Sequence, residues 1–417
     1  MKKAAAAIAA ALLLTSLAAC GTSTPGTTPE ASAPAASGSP SDPGLTTEPI
    51  TLKVWESEQG PDEFIKQAGA KFTELHSNIT IEYVHVELGD ATGQIALDGP
   101  AGTGPDVFAA PHDKLGELFT GGHVLAVANP DAVTANVVEA AAKAATYQGK
   151  LYGYPVATET YALYYNKALI PEAPKTWDDV ITFAKDFNAK NKGSYGFVMD
   201  VGNGYYTILF TTSQNNRLFG PDGVDTTNTN INSAASAAGM QQFLKLHEAL
   251  NVKAQDLGTD TVDALFKSGK AAMHISGPWN VKAFTDAGID FGVATLPALA
   301  GNTDPAASFA GIRTMYVSAY SNYPAEAAAF AEFLTTPEMQ QLRADITGAL
   351  ASSNGTINYS NPVVSGFADQ MKYAFPMPSI PQMGKFWDAM NAASKNIWDG
   401  ADIQKELDAA NAAILAQ

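Results

Sequence analysis

From Ile50 onward two hydrophobic periods follow one another, and their alternation limits the chain to one fold class. "ITLKVW" (50–55) alternates apolar and polar residues, the period of a half-buried strand. Phe64, Ala68, Phe72 and Leu75 then recur at helical spacing. "ITIEYVHVEL" (79–88) reads as a second strand and "DVFAA" (106–110) as a third. Thr176 with Asp179 forms a helix-opening capping pair ahead of an apolar run. This β-α-β rhythm predicts an α/β protein with ligands at the C-terminal ends of its strands. From Ile50 to Gln417 the body is too long for one ordinary core, so the sequence predicts two lobes.

Everything before Ile50 is different. Lys2 and Lys3 precede an unbroken apolar run, Ala4 to Leu14, and small residues continue to Ala19, the layout of a signal peptide. The run is shorter than the roughly 20 residues of a membrane-spanning helix. Cys20 is the only cysteine, so it forms no internal disulfide. Its setting, "LAAC" followed by Gly21, resembles a bacterial lipobox, which implies acylation of its sulfur and a mature N-terminus at residue 20. The Ser-, Thr- and Pro-rich stretch that follows buries too little apolar surface to offset its ordering entropy. Residues 1–19 therefore read as a signal peptide, and 20–48 as the lipidated cysteine with a disordered linker. Acyl chains supply about 0.8 kcal/mol per buried methylene, enough for stable anchoring when there is more than one.

Composition excludes several functions. The net charge is −17, and it becomes −19 when Lys2 and Lys3 are removed. Such a surface repels phosphate backbones, so nucleic acid is not a partner. The six histidines are scattered without H-E-x-x-H or any paired zinc spacing, and neither G-x-x-x-x-G-K-[ST] nor G-x-S-x-G occurs. No cofactor, metal or catalytic set is predicted.

Four stretches carry a specific resemblance. They are "GTGPDVFAAPHDKLGELFTGGHVLAV", "YQGKLYGYPVATETYALYYNKALIPEAPKTWDDV", "AAMHISGPWNVKAFTDAGIDFGVATLPALAG" and "PMPSIPQMGKFWDAM". In this order and spacing the chain resembles the maltose/maltodextrin-binding proteins, solute receptors of ABC importers. The resemblance implies a two-lobed periplasmic-binding-protein-like α/β fold with a hinge and an interlobe cleft. One lobe would hold 49–157 and 315–355, the other 161–311 and 358–417.

The resemblance also implies a site. Trp279 in "SGPW" matches a stacking tryptophan, and Trp387 a second. Trp387 can be weighed from spacing as well: Phe386, Met390, Ala393 and Ile397 form the core stripe of its helix, and Trp387 sits about 100° to one side. Glu159 and Asp113 match sugar-binding carboxylates, which accept strong charge-assisted hydrogen bonds from hydroxyls. Glu58 keeps an acceptor where the family has aspartate. Tyr205 matches a ring-contacting tyrosine and Met377 an apolar wall residue. Gln59 stands in place of a lysine, and Lys114 in place of an arginine, losing the planar fork. Asn203 replaces an acidic residue and Asn391 an arginine. Ala110 stands where some members have a third tryptophan, which implies a roomier site.

The function implied is a monomeric, lipid-anchored receptor on the outer face of the bacterial cell membrane that delivers maltooligosaccharides to an ABC permease. The alternatives are a receptor for cyclodextrin or galactooligosaccharide and, from another class, a secreted glycosidase using two carboxylates across one bond. Cys20→Ala is expected to abolish lipid modification and normal processing, read by detergent-phase partitioning and mass spectrometry of the N-terminal peptide. An unmodified mature N-terminus at another residue in the parent chain would overturn the lipobox reading.

Overall fold

The computed structural model describes residues 44–359, 361 and 363–416. The signal peptide, Cys20 and the linker up to residue 43 lie outside the described residues. The last part of the segment read as linker is fastened to the body: the Thr46 N–H donates to Glu326 Oε1 at 2.7 Å, and Asn78 Nδ2 donates to the Thr46 and Glu48 carbonyls at 2.8 and 3.1 Å. Backbone groups that find fixed partners leave the disordered ensemble, so the ordered chain begins before Ile50.

The strands are β1 (Ile50–Glu56), β2 (Ile79–His85), β3 (Val107–Pro111), β4 (Thr146–Tyr147), β5 (Lys150–Leu151), β6 (Gly153–Glu159), β7 (Ala162–Asn166), β8 (Met273–Ser276), β9 (Phe291–Ala294), β10 (Phe309–Val317) and β11 (Phe375–Pro376). The first sheet runs β2-β1-β3-β10. The pairs β1/β2 and β1/β3 are parallel and β10/β3 antiparallel. β6 pairs antiparallel with β10, and β11 joins the first two residues of β10. β7 is the centre of a second, antiparallel sheet, β8-β7-β9.

Parallel β1 and β2 need a crossover, and the helix Pro61–Leu75 supplies it. Proline at its first position and Asp62 and Glu63 in its first turn suit a helix start. Phe64, Ala68 and Phe72 are buried as the spacing predicts, whereas Leu75, on the last turn, is 57% exposed. The capping pair is present: Thr176 Oγ1 accepts the Asp179 N–H at 3.2 Å and donates to Asp179 Oδ2 at 2.6 Å, opening the helix Trp177–Lys190.

The buried side chains separate into distinct cores. One unites Tyr161, Trp177, Phe210, Phe243, Phe309 and Phe386 with the C-terminal helices. Another unites Leu52, Val54, Phe64, Val156, Met315 and Phe330. A smaller cluster of Trp55, Phe108, Ala110 and Tyr316 covers the opposite face of the first sheet. β3 shows why: Val107 and Ala109 join one cluster, Phe108 and Ala110 the other, as side chains of a strand alternate. The chain passes between the two large cores at Glu159–Thr160–Tyr161 and again along β10, where Phe309 belongs to one and Met315 to the other.

Close helix packing in the second core depends on Gly239. The helices Gly204–Thr211 and Ala234–Leu250 approach so closely that a Cβ at residue 239 would lie 1.7 Å from the Phe210 carbonyl oxygen. Gly239→Ala is expected to destabilise the protein by about 1–3 kcal/mol through forced backbone displacement. Thermal or urea unfolding measures this, and an unchanged midpoint would contradict the packing.

Candidate ligand-binding cleft

A cavity of about 760 Å³ opens beyond the C-terminal ends of β1, β3 and β6. Ser57, Glu58 and Gln59 reach it from the turn after β1, and Asp113 and Lys114 from the single 3₁₀ turn after β3. Glu159 closes β6. From the other core come Tyr205 at the start of the helix Gly204–Thr211, Trp279 on the turn Pro278–Asn280, Met377 after β11, and Trp387 on the helix Gln382–Trp398. The structure thus brings all nine residues named from the sequence to one cavity. Ligands at strand ends are what a parallel α/β arrangement offers, because the turns there face open space.

Local sequence explains the placements. The turn after β1 needs a left-handed backbone at two adjacent positions, Gln59 with φ 65° and Gly60 with φ 132°. On the helix Gln382–Trp398, Phe386, Met390, Ala393 and Ile397 are buried, and Trp387 beside them is half-buried against Phe309 and Phe386, with centroids 6.0 and 5.1 Å away. Tyr205 packs edge-on against Tyr161 at 5.0 Å and lies 6.3 Å from Trp279. One wall is therefore a run of aromatic rings fixed by a core.

Ala110 is not on this wall. It is fully buried with Trp55, Phe108 and Leu115, and Pro111 is the β3 residue that lines the cavity. β3 is covered on both faces, and Ala110 lies in the smaller cluster. The sequence expectation that Ala110 makes the cavity roomier is therefore incorrect.

The rest of the lining is strongly charged. Among the lining residues eight are acidic and two basic. Glu159 is buried, and the Arg313 Nε donates to its two oxygens at 3.2 and 3.3 Å. Arg313 Nη1 also donates to Glu56 Oε1, and to Ser57 Oγ at 3.0 Å. Arg343 Nη1 lies 3.5 Å from the other Glu56 oxygen. Burial pulls the Arg313 pKa down, but the carboxylates of Glu159 and Glu56 outweigh it and hold the guanidinium above its usual range. Sequence reading missed Arg313, although a lone arginine inside the apolar run "FAGIRTMYV" is a signal, since a charge in a buried strand requires a partner. It also missed Asp263, a cavity residue whose Oδ1 is 2.7 Å from the buried His274 Nε2.

Asp113 has no such partner. It is 8% exposed, and neither carboxylate oxygen has a hydrogen-bond partner among the described residues; the Trp387 indole N–H is likewise unpaired. Its neighbour His112 accepts the Ile312 N–H at Nδ1, 3.1 Å away, and burial lowers its pKa. Lys114 is paired with Glu117 at 3.3 Å. Burial pushes the Asp113 carboxyl up, against the weaker pull of His112, Lys114 and the Trp387 indole. Both Asp113 oxygens are buried beside the cavity that the residue lines. Among the described residues there is no cluster of three His, Cys, Asp or Glu side chains that could hold a metal, and no helix long and apolar enough to cross a membrane.

Residues 67–365 match the family model described as a bacterial extracellular solute-binding protein. A galactooligosaccharide-binding protein of Bacillus subtilis (strain 168) is 31% identical over 374 residues, 86% of this chain and 87% of its own. A maltooligosaccharide ABC transporter solute-binding lipoprotein of Streptococcus pneumoniae (strain ATCC BAA-255 / R6) is 30% identical over 385 residues, 88% of this chain and 87% of its own. Among solved structures, a cyclo/maltodextrin-binding protein complexed with maltotetraose superposes with a TM-score of 0.70 at 36% identity, covering 88% of this chain and 97% of that one. The fold is thus the two-lobed α/β arrangement predicted from the sequence.

A carboxyl whose pKa is raised on folding binds more protons folded than unfolded. It therefore costs stability increasingly as pH rises through its ordinary pKa towards the raised one, and costs the full amount above that. Asp113→Asn is expected to stabilise the unliganded protein at about pH 7 by on the order of 1–3 kcal/mol, seen as a higher melting temperature. The gain should shrink as pH falls towards about 4. Calorimetry at both pH values decides; a lower melting temperature at neutral pH would show that Asp113 is satisfied.

Proposed function

The chain belongs to the bacterial extracellular solute-binding proteins, and on that footing we propose that it is the receptor of an ABC sugar importer, capturing maltooligosaccharides and presenting them to the permease. The observation that carries the reading is the gathering in one cavity of aromatic rings, Trp279, Trp387 and Tyr205, with buried carboxylates, Asp113 and Glu159. A pyranose has apolar C–H faces and a rim of hydroxyls. The rings supply flat apolar area for the faces, and the carboxylates accept from the rim. Glu58, Gln59 and Lys114 would meet hydroxyls nearer the opening, with Met377 as an apolar wall. The volume lies within the range of enclosed small-molecule sites.

On this reading one lobe comprises 49–157 with 315–355 and the other 161–311 with 358–417. The aromatic rings belong to the second, while Asp113 and Glu159 sit on or beside the first. A ligand touching both would favour the closed arrangement, a shift between two populations of a hinged pair. Cys20 would carry the lipid that holds the receptor at the outer face of the membrane, in keeping with the name of the pneumococcal relative.

Binding, not catalysis, suits the site. The relatives are named as binding proteins, which supports this reading, and Glu159, with both oxygens engaged by the Arg313 Nε, is not a free proton donor. The body without its first 43 residues is expected to melt higher with maltotriose or maltotetraose, gaining about 2.7 kcal/mol at a hundred times the dissociation constant. No glucose should accumulate on prolonged incubation. Trp279→Ala should weaken binding at least about tenfold, a loss of about 1.4 kcal/mol, with the fold retained. A shift with galactooligosaccharide alone would transfer the function to that ligand, and released glucose would make the protein an enzyme.

A further inference from the structure

Among the described residues Glu159 is the only cleft residue whose carboxylate is gripped by a guanidinium, and the grip is part of a larger buried assembly. Arg313 contacts three groups at once: both oxygens of Glu159 through Nε, and Glu56 and Ser57 through Nη1. Glu56 is fully buried at the end of β1, its other oxygen faces Arg343 on the helix Pro337–Thr347, and its Oε1 accepts the Ser57 N–H at 2.8 Å. Arg343 in turn lies over the Phe64 ring, 4.9 Å from its centroid. Two buried carboxylates meet two buried guanidinium groups. The backbone is shaped around this assembly. Between the pairs Ala157–Arg313 and Pro155–Thr314 the register of β6 and β10 shifts, leaving Val156 as an extra residue, and such a bulge re-aims neighbouring side chains.

We propose that Arg313 is a positioning residue for ligand capture, fixing the orientation of the Glu159 carboxylate towards the cleft, and that Glu56 fixes Arg313. A carboxylate free to rotate would lose side-chain entropy on binding a hydroxyl; one already held on both oxygens loses little. Lysine cannot replace this arginine, because a point charge cannot bridge two carboxylates and a hydroxyl in one plane. The inference rests on the reading of the cleft as a sugar site.

The test is a double-mutant cycle on the body without its first 43 residues, with maltotriose affinity measured by calorimetric titration. Arg313→Lys should weaken binding about tenfold, the scale of one charge-assisted hydrogen bond. In the Glu159→Gln background the same change should alter affinity less than about twofold, because the group being positioned is gone. Equal losses in both backgrounds would mean that Arg313 contacts the sugar itself or acts only through stability, and would overturn the proposal. So would an Arg313→Lys protein that binds as well as the parent. If Arg313→Lys does not fold, Glu56→Gln, which leaves Arg313 and Glu159 paired but loosens Arg313, should weaken binding several-fold in the parent and not in Glu159→Gln; equal losses again overturn it. A parent protein that binds no maltotriose would instead remove the sugar-site reading.

Discussion

The ion network of Glu56, Arg313, Glu159 and Arg343 is the constraint on which the rest of the cleft depends. It joins the ends of β1 and β6, the middle of β10 and the helix Pro337–Thr347 at the place where the chain passes between its two large cores. Taking four charges out of water is expensive, and a buried pair is repaid only when geometry and extra hydrogen bonds are good. Here Ser57 contributes both its N–H and its hydroxyl. Removing one member strands the others, so the four behave as a unit. The chain contains three arginines, and two of them are in this network; its other cations are lysines. Both stand where a planar, permanently charged fork suits the partners.

The two walls of the cavity are held by different forces. The aromatic wall is an extension of a hydrophobic core: Trp387 leans on Phe386 and Phe309, and Tyr205 on Tyr161. The carboxylate wall is held by charge pairing at Glu159 and is left unpaired at Asp113. An unpaired buried carboxylate is a cost to the unliganded fold, and such costs concentrate where a partner is to be received. The two acids thus differ in their surroundings: Glu159 is held on both oxygens by one N–H, and Asp113 is enclosed without such a hold.

Much of this was legible in the sequence. β1 to β3, the helix stripe that leaves Trp387 to one side and the capping pair at Thr176 follow from periodicity and local hydrogen bonding. The nine cleft residues were legible through family likeness, not through spacing, since they come from segments as far apart as Glu58 and Trp387. Two features were not legible. Periodicity cannot say which face of a strand meets a cavity when both faces are covered, so Ala110 was assigned to the wrong side. The partners of Arg313 lie 154 and 257 residues away in sequence, and only tertiary folding discloses them.

The balance of charge bears on which ligands the cleft can accept. With eight acidic and two basic lining residues, and both cations already paired, the cavity offers acceptors in excess of donors. A neutral polyol, rich in hydroxyl donors, matches that excess; an acidic or phosphorylated sugar would meet repulsion that salt screens poorly in a half-enclosed space. The replacements of basic residues implied by the family likeness, Gln59 for lysine and Asn391 for arginine, push the same way. They remove donors and positive charge while Asn391 still holds the fold, its Oδ1 accepting the Gly204 N–H at 2.6 Å at the start of the helix that carries Tyr205. In this chain, position 391 therefore contributes a backbone anchor beside the cleft instead of a charge.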